Sequence, residues 1–322
     1  MATFTAGALG VDFDLLDLGP LAGASQSVAT ATSVALSVAG VTMQVFGTGF
    51  QYAGAGPPTA GVIQRMIVSV DAGLAYDIGG LSLSAQAFRG WVVAGDNAAA
   101  KAGIFAGSDL FTGSAAADRL FSYAGDDTVN AGGGADTIVE ASGSNYLRGD
   151  EGNDSIVGGS GFDDINGNMG DDTASGGLGE DWVVGGKDND SLSGGDAYDL
   201  VYGNLGADTI SGDGGNDIVR GGQGDDVCFG GAGDDYMSGD RDSDTITGGA
   251  GADTFHSFGE AGMDRVTDFN RAEGDRVLLD PGTTYTVAQS GADVVISMSG
   301  GAQMVLVGVS MSSLTGTWIT VG

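Results

Sequence analysis

Between Ile104 and His256 one apolar residue recurs every nine positions, and the residues between are mostly Gly, Asp, Ser and Thr. The stretch divides without gap or insertion into seventeen nine-residue units. In the unit Gly221-Gly222-Gln223-Gly224-Asp225-Asp226-Val227-Cys228-Phe229 the apolar residue stands at position eight, and all seventeen units keep one there. Position four is Gly in thirteen units, with Ala116, Asp188, Ala197 and Asp242 the departures. Position six is acidic almost throughout: Asp109, Asp118, Asp127, Asp136, Asp154, Asp163, Asp172, Asp181, Asp190, Asp199, Asp208, Asp217, Asp226, Asp235, Asp244 and Asp253, with Asn145 the one exception. A fixed period of this kind marks a solenoid. A disordered linker would not hold an apolar residue in phase over such a length.

Within a unit the pattern predicts a turn over positions one to six and a strand over positions seven to nine. Glycine supplies positive φ angles in tight turns, and Asp tolerates such turns while offering a carboxylate there. Strand side chains alternate, so position eight points inward and positions seven and nine outward. One residue in nine then faces the core, too little to offset chain entropy unaided. Sixteen aligned carboxylates would also repel one another, so the pattern calls for a cation among them. Carboxylates and turn carbonyls without His or Cys select Ca²⁺ over Zn²⁺ or Cu²⁺.

The unit Gly-Gly-x-Gly-x-Asp-x-U-x, with U apolar, closely resembles the repeats-in-toxin (RTX) nonapeptide of secreted bacterial calcium-binding proteins, here of the surface-layer or matrix type. The resemblance covers nearly half of the chain. It implies a parallel β-roll in which two consecutive units make one turn, with Ca²⁺ between the turn of one unit and that of the unit two further on. Seventeen units would then hold roughly 15 ions in a stack roughly 40 Å long. The expected ligands are the position-six residues, Asn145 included, and Asp264 in a degenerate further turn, Gly262-Met263-Asp264-Arg265-Val266.

The predicted fold is all-β: a Ca²⁺-loaded β-roll over 104–256, a small β-rich domain with one or two helices over 1–103, and a C-terminal β cap over 257–322. In the first region Val41–Tyr52, Val62–Val70 and Gly73–Ile78 read as strands, broken by Gly54-Ala55-Gly56-Pro57-Pro58 and Asp71-Ala72-Gly73. Ala85, Phe88, Trp91 and Val92 recur at helical spacing, and Asp96 is placed to cap a short helix through Ala98, Ala99 and Ala100. The first unit, Ile104–Thr112, lacks the leading glycines, as a capping repeat would, and the N-terminal region is expected to dock on it. Beyond His256 the register slips by two residues. The segment Asp264-Arg265-Val266-Thr267-Asp268-Phe269, followed by Gly274-Asp275-Arg276-Val277-Leu278-Leu279, looks like the closing segment of the same family. The resemblance implies an uncleaved C-terminal signal for type I secretion machinery, which the apolar ending Trp318-Ile319-Thr320-Val321-Gly322 suits. Val294, Ile296 and Met298 alternate ahead of Met304–Val309, the pattern of a hairpin.

Charge adds a consequence. The chain of 322 residues carries 43 acidic and 11 basic side chains, a net charge of −32. Such a balance argues against nucleic acid or anionic lipid as partner. If roughly 15 Ca²⁺ bind, they add about +30 and bring the protein near neutrality, where association is favoured. Cys228, the single cysteine, stands at an inward position eight and reads as a small core residue. Met1-Ala2-Thr3-Phe4-Thr5 has neither the basic nor the apolar region of a secretory signal peptide. The uncharged run Val28–Phe46 alternates and is interrupted by Gly40, so it reads as strands and not as a membrane span. His256 is the only histidine and no Gly-x-Ser-x-Gly motif occurs, which leaves neither a two-histidine zinc site nor a nucleophile elbow. His256 reads as a solvated or rim residue, and the expectation is a protein that is not an enzyme.

If units alternate between the two sheets of a roll, the outward positions sort by sheet. One presents Tyr146, Trp182, Val184, Leu200, Tyr202, Ile218 and Tyr236, with Arg148 and Arg220 beside them. The other presents Thr137, Ser155, Thr173, Ser175, Ser191, Ser193, Thr209, Ser211, Thr245 and Thr247, with Val227 and Phe229 near one end. Large exposed apolar patches are rare, so the first sheet reads either as a partner surface or as a face covered by a terminal region. These readings point to a secreted, Ca²⁺-dependent structural protein that folds outside the cell. It is expected to self-assemble, as a homo-oligomer or polymer, into a bacterial surface layer or an extracellular biofilm matrix. The alternative is a calcium-dependent adhesin that binds cell-surface polysaccharide on Trp182, Tyr202 and Tyr236. A third and weaker idea takes the Ser/Thr rows as an ice-binding face.

Overall fold

A computed structural model describes residues 3–6, 25–29, 33–38, 41–51, 60–70, 73–79, 81–88 and 97–322. It is all-β apart from short helical pieces and contains a parallel β-solenoid. The chain forms two compact units, Met1–Glu151 and Gly152–Gly322. Among the described residues no helix is long and apolar enough to cross a membrane.

In the first unit, Val41–Gln51, Ala60–Val70 and Gly73–Gly79 form successive antiparallel neighbours, close to the strands that alternation predicts. Met43, Val45, Ile63, Met66 and Ile78 are buried, and Ala85 and Phe88 from a helical stretch at 85–88 join them. Trp91, Val92, Asp96 and the Gly54–Pro58 break lie outside the described residues. The second helix runs Asn97–Ile104, past Ala100, and so takes up the first residue of the first repeat. Ile104 therefore closes a helix and does not open a turn. Thr3–Ala6 pairs antiparallel with Gly73–Gly79 and parallel with Leu110–Ser114, so one strand joins the N-terminal sheet to the first repeat strand.

The repeats form strands that pair with the unit two positions on. In the first unit Leu110–Ser114, Thr128–Gly133 and Asn145–Glu151 are parallel neighbours, and Arg119–Ala124 pairs with Thr137–Ser142. In the second unit one sheet runs 163–169, 182–187, 200–205, 218–223, 236–241, 254–257, 276–279 and 319–321, all parallel. The other runs 155–160, 173–178, 191–196, 209–214, 227–232, 245–250, 263–266 and 303–306. It ends in antiparallel strands Asp293–Met298 and Tyr285–Ser290, the hairpin region that alternation predicts with one strand more.

The strands are longer than the pattern suggests. Thr173–Leu178 is typical: it spans positions seven to nine and then one to three of the following unit. The turn is only positions four to six. Positions two and four take positive φ, as at Gly222 (122°) and Gly224 (128°), with Asn or Asp at Asn168, Asn204, Asp213 and Asp240. Ala197 holds a position-four φ of 87° without the local hydrogen bonding an Asn or Asp side chain provides. Position one has no such φ; it is Gly for want of room.

The core is also deeper than one residue in nine. Position eight is buried from Phe111 to Phe255, and so are position six and most of position one, giving three inward positions per unit. Beyond His256, Phe269 packs between Phe255 at 5.9 Å and Trp318 at 6.2 Å, so the C-terminal segment closes the end of the second unit's core.

Candidate calcium ladder

Position six lies between a turn and a strand, where its side chain folds inward over the glycine at position one. Every position-six side chain from Asp109 to Asp253 is buried, Asn145 and the added Asp264 among them. In the first unit the amides of Asp109 and Asp118 donate to Oδ1 of Asp127 and Asp136 at 2.7 Å. The Asp127 amide donates to the Asn145 Oδ1 at 2.9 Å, so an amide oxygen serves this half of the role as well as a carboxylate. In the second unit the same 18-residue bond recurs at every unit, nine residues apart, from Asp154 to Asp172 at 2.8 Å through Asp217 to Asp235 at 2.8 Å and Asp235 to Asp253 at 3.0 Å.

The second carboxylate oxygen is left over. The Oδ2 atoms of Asp172, Asp181, Asp190, Asp199, Asp208, Asp217, Asp226, Asp235 and Asp253 are buried with no hydrogen-bond partner. A buried, unpaired carboxylate is costly. The consequence is visible in its affinity for protons: burial pushes Asp172, Asp190, Asp199, Asp217 and Asp226 up to about 7, and Asp127 and Asp253 to about 6. Burial raises Asp244 and Asp264 too, and their mutual repulsion adds to it at Asp244.

What surrounds these oxygens decides which cation fits. A Cβ built on Gly212 would stand 2.5 Å from the Asp217 Oδ2 and 2.6 Å from the carbonyl oxygen of Gly230, two units on. Gly158 has the same surroundings, the Asp163 Oδ2 at 2.5 Å and the Gly176 carbonyl at 2.6 Å. Gly176, Gly203, Gly221 and Gly230 repeat it, so these position-one glycines each leave a space bordered by one carboxylate oxygen and one main-chain carbonyl. Among the described residues no three His, Cys, Asp or Glu side chains gather at one point, so a cation here would be held by single carboxylates and backbone carbonyls. That donor set suits Ca²⁺, a hard ion that accepts flexible oxygen coordination. When bound, the ion would supply the positive charge the ladder lacks.

Three features escape the repeat pattern. Asp275 extends the ladder, accepting the Asp253 amide at 3.1 Å after a 22-residue step; the sequence Asp275-Arg276-Val277 carries the Asp-x-apolar signal. Glu140 occupies a position one, is buried, and accepts the Ser122 hydroxyl; it belongs to the unit whose position six is Asn145. Position five forms an outer ladder, in which Asp171, Asn189, Asn216 and Asp234 each accept the main-chain amide found 18 residues later. Adjacent pairs such as Asp126-Asp127 are therefore one outer and one inner ladder residue.

The outward residues fall into the predicted rows. In the second unit Trp182, Leu200, Ile218 and Tyr236 are successive neighbours, as are Val184, Tyr202 and Arg220. Tyr146 lies on the first unit's sheet beside Thr128, under the Arg148 guanidinium at 3.4 Å. Trp182 is 50% exposed. All three aromatics have partners: Trp182 meets Phe162 edge-on at 5.8 Å, Arg220 lies 5.2 Å over Tyr202, and Tyr236 stacks on His256 at 5.7 Å.

His256 is neither solvated nor at a rim, for its side chain is 13% exposed. Its Nε2 lies 3.1 Å from Asp280 and its Nδ1 3.3 Å from the Ser238 hydroxyl. The order Ser, His, Asp resembles a nucleophile with its base and orienting acid. However, Ser238 is buried and its hydroxyl donates to Asp240 at 2.7 Å, which directs its proton away from His256.

The fold and the ladder define a parallel β-solenoid with an oxygen-donor cation site at its turns. The RTX calcium-binding nonapeptide repeat model matches residues 105–138, 141–174, 166–201, 175–209, 194–228, 202–237 and 229–257. Residues 105–257 thus carry multiple RTX calcium-binding nonapeptide repeats. Among solved structures it is similar to the extracellular lipase LipA from Serratia marcescens, with 18% identity over 67% of this chain and a TM-score of 0.24. It spans 40% of that lipase. It is also similar to the AlgE6R3 subunit of the Azotobacter vinelandii mannuronan C5-epimerase, with 22% identity over 42% of this chain and 78% of that one, at a TM-score of 0.26. Both come from enzymes, but RTX repeats alone do not indicate catalysis. No curated protein matches the chain.

Proposed function

We propose that the chain is an extracellular structural protein that folds when it meets calcium and then associates through its apolar sheet into a surface layer or matrix. The observation that carries the reading is the run of buried Oδ2 atoms from Asp172 to Asp253 that have no hydrogen-bond partner among the described residues. A roll that encloses so many uncompensated carboxylates is poorly stable at neutral pH until a cation neutralises them. Cytoplasmic calcium is too dilute for sites of roughly 10⁻⁴ to 10⁻³ M affinity, whereas extracellular calcium suffices. RTX repeats typify secreted proteins, and calcium-gated folding keeps a chain exportable until it is outside.

Assembly rests on the row Trp182, Leu200, Ile218 and Tyr236, and within the second unit Trp182 keeps half its surface open. Calcium also removes most of the repulsion between copies. Negative-stain microscopy and light scattering with and without Ca²⁺ test the reading. Ordered arrays that need calcium and are lost in a Trp182→Ser, Leu200→Ser variant support it, since an aromatic anchor contributes about 2 kcal/mol per contact. The opposite-sheet control, Thr209→Ala with Ser211→Ala, should still assemble. Dispersed monomers in calcium would refute the assembly reading and leave calcium-gated folding to stand alone.

A further inference from the structure

The 105 residues from Gly152 to His256 contain only three Lys or Arg side chains, Lys187, Arg220 and Arg241. All three line one open groove of about 510 Å³ on the sheet that carries Trp182, together with Asn166, Asn168, Asn204, Gln223, Tyr202 and Asp240. Strand pairing brings them there: Lys187, Leu205, Gln223 and Arg241 are successive neighbours along one row. At the usual strand spacing Lys187 and Arg241 lie about 14 Å apart.

The three cations differ in what they can do. Arg220 is committed, held by a double hydrogen bond to the buried Asp240 at 3.0 and 2.9 Å. Lys187 and Arg241 are exposed. Asp188 and Asp242, which follow them, lie outside the groove lining. Across the five strands 163–169 to 236–241 the acids apart from the ladder residue Asp163 are Asp164 and Asp240, against the three cations, so this face escapes the acidity of a chain of net charge −32 and leaves Lys187 and Arg241 to meet an anion.

We infer that this groove binds a carboxylated oligosaccharide, with Lys187 and Arg241 pairing carboxylates on separated sugar rings and the amides of Asn166, Asn168, Asn204 and Gln223 meeting the hydroxyls between. Charge complementarity selects an anion. The groove lies on the face of a continuous parallel sheet and offers no free strand edge, which disfavours an extended acidic peptide. The amide-rich lining suits a polyhydroxylated chain, and the span between the two cations matches a few rings. The groove shares its sheet with the Trp182 row, so binding is measured in the Trp182→Ser, Leu200→Ser background, which removes the assembly row and leaves the groove lining intact.

The test uses the full chain in excess Ca²⁺ and a galacturonate tetramer, too short to gel with calcium, by calorimetry. The tetramer should bind, and its affinity should fall several-fold as NaCl is raised to about 0.5 M. The same tetramer with its carboxylates reduced to alcohols should bind at least tenfold more weakly. So should the galacturonate tetramer to a Lys187→Gln, Arg241→Gln variant whose circular dichroism and calcium midpoint are unchanged; both side chains are exposed, so folding is spared. Absence of tetramer binding, equal binding of the reduced tetramer, or undiminished affinity in the variant would each overturn the proposal. Stronger binding of a poly-glutamate peptide than of the tetramer would overturn it in favour of a protein partner.

Discussion

Replacing Gly212 by Ala adds one methyl group at a position whose backbone any residue can adopt, so its effect isolates the space beside the ladder. The new Cβ would stand 2.5 Å from the Asp217 Oδ2, 2.6 Å from the Gly230 carbonyl oxygen and 2.9 Å from the Asp217 Cβ. The carbonyl is backbone and the Asp217 carboxylate is held through its other oxygen by the Asp199 amide, so the strain is that of an overpacked core, roughly 1–3 kcal/mol. If the space is the calcium cradle, the methyl group also abolishes a site. With a Kd of about 10⁻⁴ M and about 10 mM Ca²⁺, one lost site costs about 2.7 kcal/mol more. The variant should therefore need more calcium to fold and bind about one ion fewer, read by circular dichroism and by calorimetric stoichiometry. Combining Gly212→Ala with Asp217→Asn separates the two parts, because the calcium part is lost once and only the steric part adds. An unchanged midpoint and ion count in Gly212→Ala would refute the placement of the cation beside position one.

Other consequences follow from the same ladder. Because burial raises Asp172, Asp190, Asp199, Asp217 and Asp226 from 3.8 to about 7 in the folded roll, the metal-free fold binds more protons than the unfolded chain. Its stability is full below about pH 4 and is lost as pH rises through about 7; in chelator, circular dichroism should gain β structure on acidification from pH 8, and a flat profile would contradict this. Protons and calcium compete for the same oxygens, so the calcium midpoint should rise as pH falls from 8 to about 5.5. Ala197→Gly relieves the φ of 87° and should stabilise the loaded roll by about 1 kcal/mol, seen as a higher Tm; a lower Tm would show that the turn gains from the methyl group. Glu140→Gln should lower the ion count by about one, since Glu140 puts a carboxylate into the unit whose position six is Asn145, whereas an unchanged count would assign Glu140 to the Ser122 hydrogen bond alone.

The sequence carries much of this architecture, for a reason particular to solenoids: each nine-residue unit repeats the same local conflict between a thin core and an inward carboxylate. Position eight from Phe111 to Phe255 and position six from Asp109 to Asp253 lie where the period puts them. What the period cannot show is why a glycine is needed. Glycines at positions two and four answer to φ, but those at position one answer to the room the ladder carboxylates take, so the strand runs on through residues that read as turn. Asp275 was hidden by the change in step after His256, from 18 residues to 22. The groove was hidden because Lys187, Arg220 and Arg241 are far apart in the chain and meet only through pairing of every second unit. His256, isolated in sequence, is placed by Ser238 and by Asp280, which comes from beyond the repeats.

Far-ultraviolet circular dichroism of the full chain at pH 7.5, first in excess chelator and then through a calcium titration, is the most direct test of the central claim that the ladder needs a cation to fold. The account predicts a largely unfolded repeat region in chelator and a cooperative gain of β structure at roughly 10⁻⁴ to 10⁻³ M Ca²⁺. A β-rich spectrum that chelator leaves unchanged would contradict it.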